Sequence, residues 1–249
     1  MAPGAPCWVA LGDTPAILES GLPEGEHTDG GLRRYRALVA AGRLITIEGL
    51  DGAGKSTLAA TLAEALAERG APVELLREPG GVALSERIRE LVKDPTLEIG
   101  ARAEALLYAA ARAELVQQRL RPLLAEGALV LLDRFVDSSL AYQGAGRELG
   151  VEQVQAINLF ATGELAPDRT LLLQIAPLTG RARQHTRGSE PDRLERESER
   201  FFERIAAAYQ LLAGSEPERI RTIDAEQAPA RVLEDALAAI EDLLPSPSV

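Results

Sequence analysis

The chain is poor in the residues that staple or anchor many proteins. Its 249 residues include one cysteine (Cys7), one methionine, one tryptophan and only 4% aromatics. A single cysteine excludes an internal disulfide and a cysteine-built metal cage. Positive charge is also scarce: 27 Lys and Arg face 38 Asp and Glu, a net charge of −11. That balance argues against general affinity for nucleic acid or an anionic membrane. It also makes any local basic cluster more informative. No apolar run approaches the length of a membrane span, and the first residues lack the charged start and apolar core of a secretory signal. The expectation is a soluble, cytoplasmic protein. Hydrophobic residues make up 46% of the chain, enough for one large α/β domain or two small ones.

The chain does contain one stretch that organises the rest, Gly49-Leu50-Asp51-Gly52-Ala53-Gly54-Lys55-Ser56. It fits the phosphate-loop pattern G-x-x-x-x-G-K-S/T at every fixed position. The apolar, β-prone run 44–47 precedes it. Residues 57–69 follow, with Leu58, Leu62 and Leu66 four apart on one helical face, and Gly70 and Pro72 end that helix. Strand, glycine loop and helix in that order is the context the motif requires. Glycines let backbone N–H groups turn inward around phosphate oxygens. The helix N-terminus adds partial positive charge. Lys55 would reach the β- and γ-phosphates of a nucleotide, and Ser56 would hold Mg²⁺ through its hydroxyl.

Residues 1–42 differ from the rest. Four prolines, seven glycines and an acidic-polar stretch at 24–29 suggest a weakly ordered extension, with a short helix over 32–41. A second reading places the true start near Val39. From Arg43 onward β-type and α-type runs alternate. Strands are expected at 73–76, 128–132, 170–175 and 219–223. Helices are expected at 85–92, 102–126 (closed by Gly127), 151–162, 195–213 and 229–244. Such alternation means βαβ units, right-handed crossovers and a parallel sheet covered on both faces.

Further candidates lie where this pattern places a ligand crevice, at the C-terminal ends of strands. Asp133-Arg134 ends the buried run 128–132: the carboxylate suits a second Mg²⁺-organising group, and the planar guanidinium suits a phosphate. A strand-end salt bridge is the plain alternative. Arg181, Arg183 and Arg187, with His185, crowd the polar stretch 180–192, and Arg193 borders it. A polar loop of this length between strand and helix suggests a lid closing over a transferring phosphoryl group, against the simpler reading of a solvated charged loop. Arg77-Glu78-Pro79-Gly80-Gly81 permits close ligand approach but equally suits an ordinary turn. Tyr108 and Arg112 share a helix face and could grip a planar base; the spacing leaves open a core-edge tyrosine with a surface arginine. The run from Ser138 through Tyr142 and Gln143 to Gly144 could read a base edge.

Taken together these residues resemble the thymidylate kinase family of P-loop nucleoside monophosphate kinases. The likeness runs from Arg43 to about Leu244, through IEGLDGAGKST, REPGG, LLYAAAR, LLDRFVDSSLAYQG and RGSEPDRLE in the family's order. It implies a three-layer α/β P-loop NTPase fold: a central parallel sheet, flanking helices, and a lid over about 177–192 of a domain spanning 43–249. It implies Mg²⁺-dependent phosphorylation of dTMP by ATP in a homodimer packed through helices. Gly49, Leu50, Asp51, Gly52, Ala53, Gly54, Lys55, Ser56 and Thr57 would hold ATP. Asp51 would meet the sugar 3′-hydroxyl of dTMP. Glu78 and Arg89 would help position dTMP and its metal-phosphate surroundings. Tyr108 takes the base-stacking position and Arg112 the thymine-binding one. Asp133 would organise Mg²⁺, Arg134 would bind the dTMP phosphate, and Ser138, Tyr142 and Gln143 would flank the substrate. Gly52 stands where some members carry arginine; members lacking it look to the lid for one, here Arg181, Arg183 and Arg187. Gln174, Leu178 and Ala206 depart from the family's pattern. A guanine-reading N-K-x-D signature, which a nucleotide switch would need, is absent from the sequence.

Overall fold

Leucine- and isoleucine-rich runs become five strands because each can bury both faces of a sheet. A computed structural model describes residues 42–71, 73–186 and 190–244. The expected extension at 1–42, its helix, Pro72 and Arg187 therefore lie outside the described residues or, for residue 42, at their edge. The strands are β1 (Arg43–Gly49), β2 (Val73–Arg77), β3 (Leu129–Asp133), β4 (Arg169–Gln174) and β5 (Ile220–Asp224). All pair in parallel, in the order β2-β3-β1-β4-β5.

Helices α1 (Lys55–Glu68), α2 (Ala83–Lys93), α3 (Ala101–Leu115), α4 (Val136–Ser139), α5 (Val151–Thr162), α6 (Pro177–His185), α7 (Glu199–Ser215) and α8 (Pro229–Ile240) connect them. Strand alternation sorts the helices into layers. Ile45 and Ile47 face Leu58, Leu62 and Leu66 of α1 and Ala236 and Ile240 of α8. Leu44 faces Leu115, Val116 and Leu120 at the end of α3, and Glu48 reaches Tyr209 of α7 on that same side. This is the three-layer arrangement expected.

Three expectations need correcting. The helix foreseen over 102–126 is interrupted by a π-helical turn, Val116–Leu120, before it resumes as Arg121–Ala125. Pro122 has no N–H to donate, and its ring presses on the preceding turn; a wider turn accommodates both. Residues 136–146 form a helix where no helix was foreseen: α4 runs on as a π-helical segment, Leu140–Gly146. Its two serines and two glycines are weak helix formers, and its burial against α5 and α7 decides the matter. The polar stretch expected to be a loop from 180 onward starts as helix α6, opened by Pro177 at its first turn.

The sheet positions the site. From β1 the chain passes to α1 on one face, and from β3 to α4 on the other. Adjacent strands whose connections part in this way leave a crevice beyond their C-terminal ends. Ile47 pairs with Asp133 in register, and Arg77 pairs with Asp133 from the other side. Three candidate segments thus end side by side.

Candidate active site

The phosphate loop is built by backbone geometry before any side chain acts. Gly54 adopts a left-handed conformation, φ 95°, at the N-cap of α1, where a Cβ would be strained. Lys55 follows, 7% exposed, with its ammonium donating to the Leu50 carbonyl at 2.9 Å and lying 3.7 Å from Asp51. Burial, and then the charge of Arg134, lower its pKa to about 8; Asp51, Asp133 and Glu48 pull the other way.

Ser56 donates to Asp133 Oδ2 at 2.8 Å, which joins the loop to the end of β3. Asp133 Oδ1 is buried without a partner. A carboxylate oxygen with a free lone pair beside a hydroxyl is a hard-cation donor set, and Mg²⁺ characteristically takes one or two carboxylates plus phosphates and waters. Among the described residues no group of three or more His, Cys, Asp or Glu could form an all-protein cage. The residues present therefore fit Mg²⁺ held with a nucleotide.

Arg134 has φ 73°, a left-handed conformation rare outside glycine. Here it turns the guanidinium back over the crevice. Arg134 donates to Ser138 Oγ at 2.9 Å and to Asp51, and its guanidinium lies 4.9 Å from the Tyr142 ring centroid. Tyr142 accepts from Arg134 at 3.2 Å and donates to Asp51 Oδ2 at 3.0 Å. Burial alone would raise the Asp51 carboxyl. The charges of Arg134 and Lys55 outweigh it and hold Asp51 well below the usual carboxylate range.

A cleft of about 220 Å³ lies over these groups. Asp51, Gly52, Gly54, Lys55, Ser56, Glu78, Arg89, Tyr108, Arg112, Asp133, Arg134, Ser138, Tyr142 and Gln143 all line it. Tyr108, Arg112 and the Arg77-Glu78-Pro79 part of the REPGG turn thus lie on the cleft wall. Arg89 donates to the Pro79 carbonyl at 3.1 Å. Gln143 donates to the buried Glu104 at 2.9 Å. Arg112 is buried, and its donors are engaged by Glu78 (2.8 Å), Ser139 (2.9 Å), the Phe135 carbonyl (2.9 Å) and Asn158. Burial raises the Glu78 carboxyl to about 7 against the opposing charge of Arg112.

The lid arginines are not brought together. Arg181 lies over the Phe202 ring, 5.6 Å from its centroid, and Arg183 donates to the Ala225 carbonyl at 2.9 Å. Neither lines the cleft, and Arg187 is outside the described residues. Arg193 instead donates to Glu104 Oε2 at 2.6 Å and to the Val92 carbonyl at 3.0 Å.

Sequence reasoning missed Glu48 and Asn158. Glu48 is fully buried at the end of β1 and accepts from Phe135 N–H (2.7 Å), the Ser138 hydroxyl (2.6 Å) and the Tyr209 hydroxyl (2.9 Å). Burial, then Asp137, push its carboxyl upward, yet every partner is a donor, which is the pattern of a carboxylate. An acid inside the apolar run LITIEG was the available signal. Asn158 shares the buried stripe of α5 with Val154 and Thr162, and a polar residue at a core-facing helical position was its signal.

Residues 47–236 match the family model described as thymidylate kinase. The chain belongs to the thymidylate kinase family. It is similar to the thymidylate kinase of Lactobacillus helveticus, at 45% identity over 207 residues, covering 82% of this chain and 98% of that one. It is also similar to the thymidylate kinase of Ectopseudomonas mendocina, at 48% identity over 206 residues, with 82% and 96% covered. The solved structure of thymidylate kinase from Ehrlichia chaffeensis superposes with a TM-score of 0.66 at 27% identity, covering 82% of this chain and 98% of that one. The fold and the family are thus those the motifs implied.

Proposed function

We propose that the protein transfers the γ-phosphoryl group of ATP to dTMP, giving dTDP and ADP, a step in making dTTP for DNA synthesis. One observation carries the reading: a phosphate loop with a buried lysine and a second guanidinium centre, Arg134, line one cleft together with Tyr108 and Arg112. Two phosphate-binding centres facing each other suit a reaction between two nucleotides.

Membership of the family gives each matching residue a role, and its chemistry suits that role. The loop backbone and Lys55 hold the ATP phosphates. Arg134, fixed by Asp51, Ser138 and Tyr142, presents its remaining edge to the dTMP phosphate. Asp51, kept ionised, accepts a hydrogen bond from the sugar hydroxyl. Tyr108 stacks on the base, with Arg112, Ser138 and Gln143 around it and Glu78 and Arg89 beside the phosphate. Ser56 and Asp133 would hold Mg²⁺, whose charge neutralises the transferring phosphoryl group. Catalysis is positioning and electrostatics, without a covalent intermediate.

The domain is taken as residues 43–249, with an extension at 1–42 and a lid over about 177–192. We read the protein as cytoplasmic and without a nucleic-acid partner, given its net charge of −11; among the described residues no helix is long and apolar enough to cross a membrane. We read it also as a homodimer. Leu84 and Leu91 of α2, Leu106 of α3, and Leu159 and Phe160 of α5 are exposed, Phe160 to 92%, on three helices that pack in sequence. An apolar face of that kind is a surface to be covered.

The test is ADP release with ATP, Mg²⁺ and a panel of dTMP, dUMP, UMP, dCMP, AMP and dGMP, with an acceptor-free control. Turnover led by dTMP, with dUMP behind by about 10–200-fold for one methyl group, is the expected result. Turnover led by another acceptor would discard the base pocket, and ADP release without acceptor would indicate an ATPase.

A further inference from the structure

Helix α6 touches the phosphate loop through two glycines. A Cβ placed on Gly52 would lie 2.1 Å from the Gly180 carbonyl oxygen. One placed on Gly180 would lie 2.7 Å from the Asp51 carbonyl oxygen, well inside the 3.4 Å at which ordinary contact begins. The atoms opposed are backbone on both sides, so neither can rotate away as a side chain would. Gly52 also lines the cleft, which places this contact on the cleft wall.

The two glycines are not equivalent. Gly52 has φ 84°, so its own backbone also favours glycine. Gly180 lies inside α6, with no positive φ. In a helix interior glycine is disfavoured relative to alanine by about 1 kcal/mol. Helix formation therefore argues against glycine at 180. The requirement comes from the approach of the phosphate loop.

We infer that Gly180 is a positioning residue that seats the lid helix backbone-to-backbone on the phosphate loop, setting how closely the lid closes over the transferring phosphoryl group. The inference rests on the kinase reading given above. Gly180 immediately precedes Arg181, so the seat fixes where the backbone of that residue begins. At this point of contact there is no room for a side chain between lid and loop. A Cβ at 180 forces the two backbones apart by about half an ångström or more. A displacement of about 1 Å can cost up to about a hundredfold in rate.

The test is Gly180→Ala in the full chain, with Leu178→Ala as control because Leu178 lies on the same helix, 65% exposed. For Gly180→Ala, kcat with ATP and dTMP is expected to fall by about ten- to a hundredfold. KM for dTMP should change less, and acceptor-free ADP release should rise relative to dTMP-dependent turnover. The melting temperature without nucleotide should hold or rise, because alanine is the better helix former. A kcat and coupling ratio unchanged from the parent would overturn the seat. So would the same losses in Leu178→Ala, or a melting temperature lower by more than about 3 °C, which would make the contact one that serves folding. A parent inactive on dTMP would defeat the functional reading itself, an outcome separate from an active parent with an unaltered variant.

Discussion

Ser56 Oγ donates to Asp133 Oδ2 at 2.8 Å, across the gap between the phosphate loop and the end of β3. The bond occupies one carboxylate oxygen and leaves Oδ1 buried without a partner. A buried acceptor left free costs about 1–3 kcal/mol, and a bound cation would offset that cost.

Replacing Asp133 with Asn keeps the shape and a carbonyl acceptor but removes the charge. The Mg²⁺ concentration giving half-maximal rate should rise, and kcat should fall by about 10²–10³, the usual cost of losing one preorganised electrostatic group. A magnesium titration of initial rates on the variant checks both. A variant with the parent's magnesium dependence would remove Asp133 from the metal's surroundings.

Asn158 is expected to matter although it does not line the cleft. Its side-chain oxygen accepts from Arg112, and its amide donates to the Val154 carbonyl at 2.8 Å. Asn158→Ala leaves a buried guanidinium N–H without a partner, a loss of about 1–3 kcal/mol in stability. It also removes one of the partners that fix Arg112, leaving Glu78, Ser139 and the Phe135 carbonyl to hold it. KM for dTMP should rise about tenfold, with little change in KM for ATP. Asn158→Asp restores the acceptor for Arg112 but sets a carboxylate oxygen where the amide donated to the Val154 carbonyl, so it should recover KM only in part. Denaturant unfolding and steady-state kinetics on both variants separate a folding effect from a positioning one.

How much of this could be read from the sequence follows from how local each feature is. The phosphate loop, the apolar β3 ending in Asp133, and α5, which spans the expected 151–162, are all written in consecutive residues or one helical period. Chain entropy and hydrogen bonding at that range leave few alternatives. The helix at 136–146 was not legible, because Ser138, Ser139, Gly144 and Gly146 oppose helix formation locally and only burial against α5 and α7 overrules them. Helix α6 has no apolar period to announce it, and Pro177 was its only sign. The Arg112–Asn158 and Glu48–Tyr209 contacts join residues 46 and 161 positions apart. No local pattern encodes such pairs; they exist once the sheet order has brought their elements together.

The apolar face on α2, α3 and α5 predicts an assembly. Phe160 is 92% exposed, so Phe160→Glu should leave the protomer's fold intact. In a dimer packed through this face it would bury a charge in the contact. Loss of one well-buried aromatic anchor costs at least about 2 kcal/mol, a weakening of about thirtyfold. Sedimentation velocity over a concentration series should show a dimeric parent, and a variant that dissociates at higher concentration. A parent monomeric throughout would end the homodimer reading.

Lys55 predicts the alkaline limb of the pH profile. Burial, then Arg134, bring its pKa down to about 8 in the free protein. The sign is fixed by which form works: the ammonium binds phosphate, so the competent species is the protonated one, and it is lost as pH rises through about 8. kcat/KM for ATP reports groups on the free enzyme, so its logarithm should be level below that pH and fall with a slope near −1 above it. Bound phosphates favour the charged lysine, so the corresponding limb in kcat should lie at higher pH. Lys55→Arg keeps a cation that does not titrate in this range. Its rate should be lower, since a planar fork replaces a compact ammonium in a buried site, and its kcat/KM profile should lose the limb near pH 8. Initial rates across pH 6–10, with the coupling enzymes shown not to limit, measure all three curves. A limb that persists unchanged in Lys55→Arg would assign it to another group in the cleft, for which Tyr108 and Tyr142 are poor candidates because burial pushes each of them upward, away from pH 8.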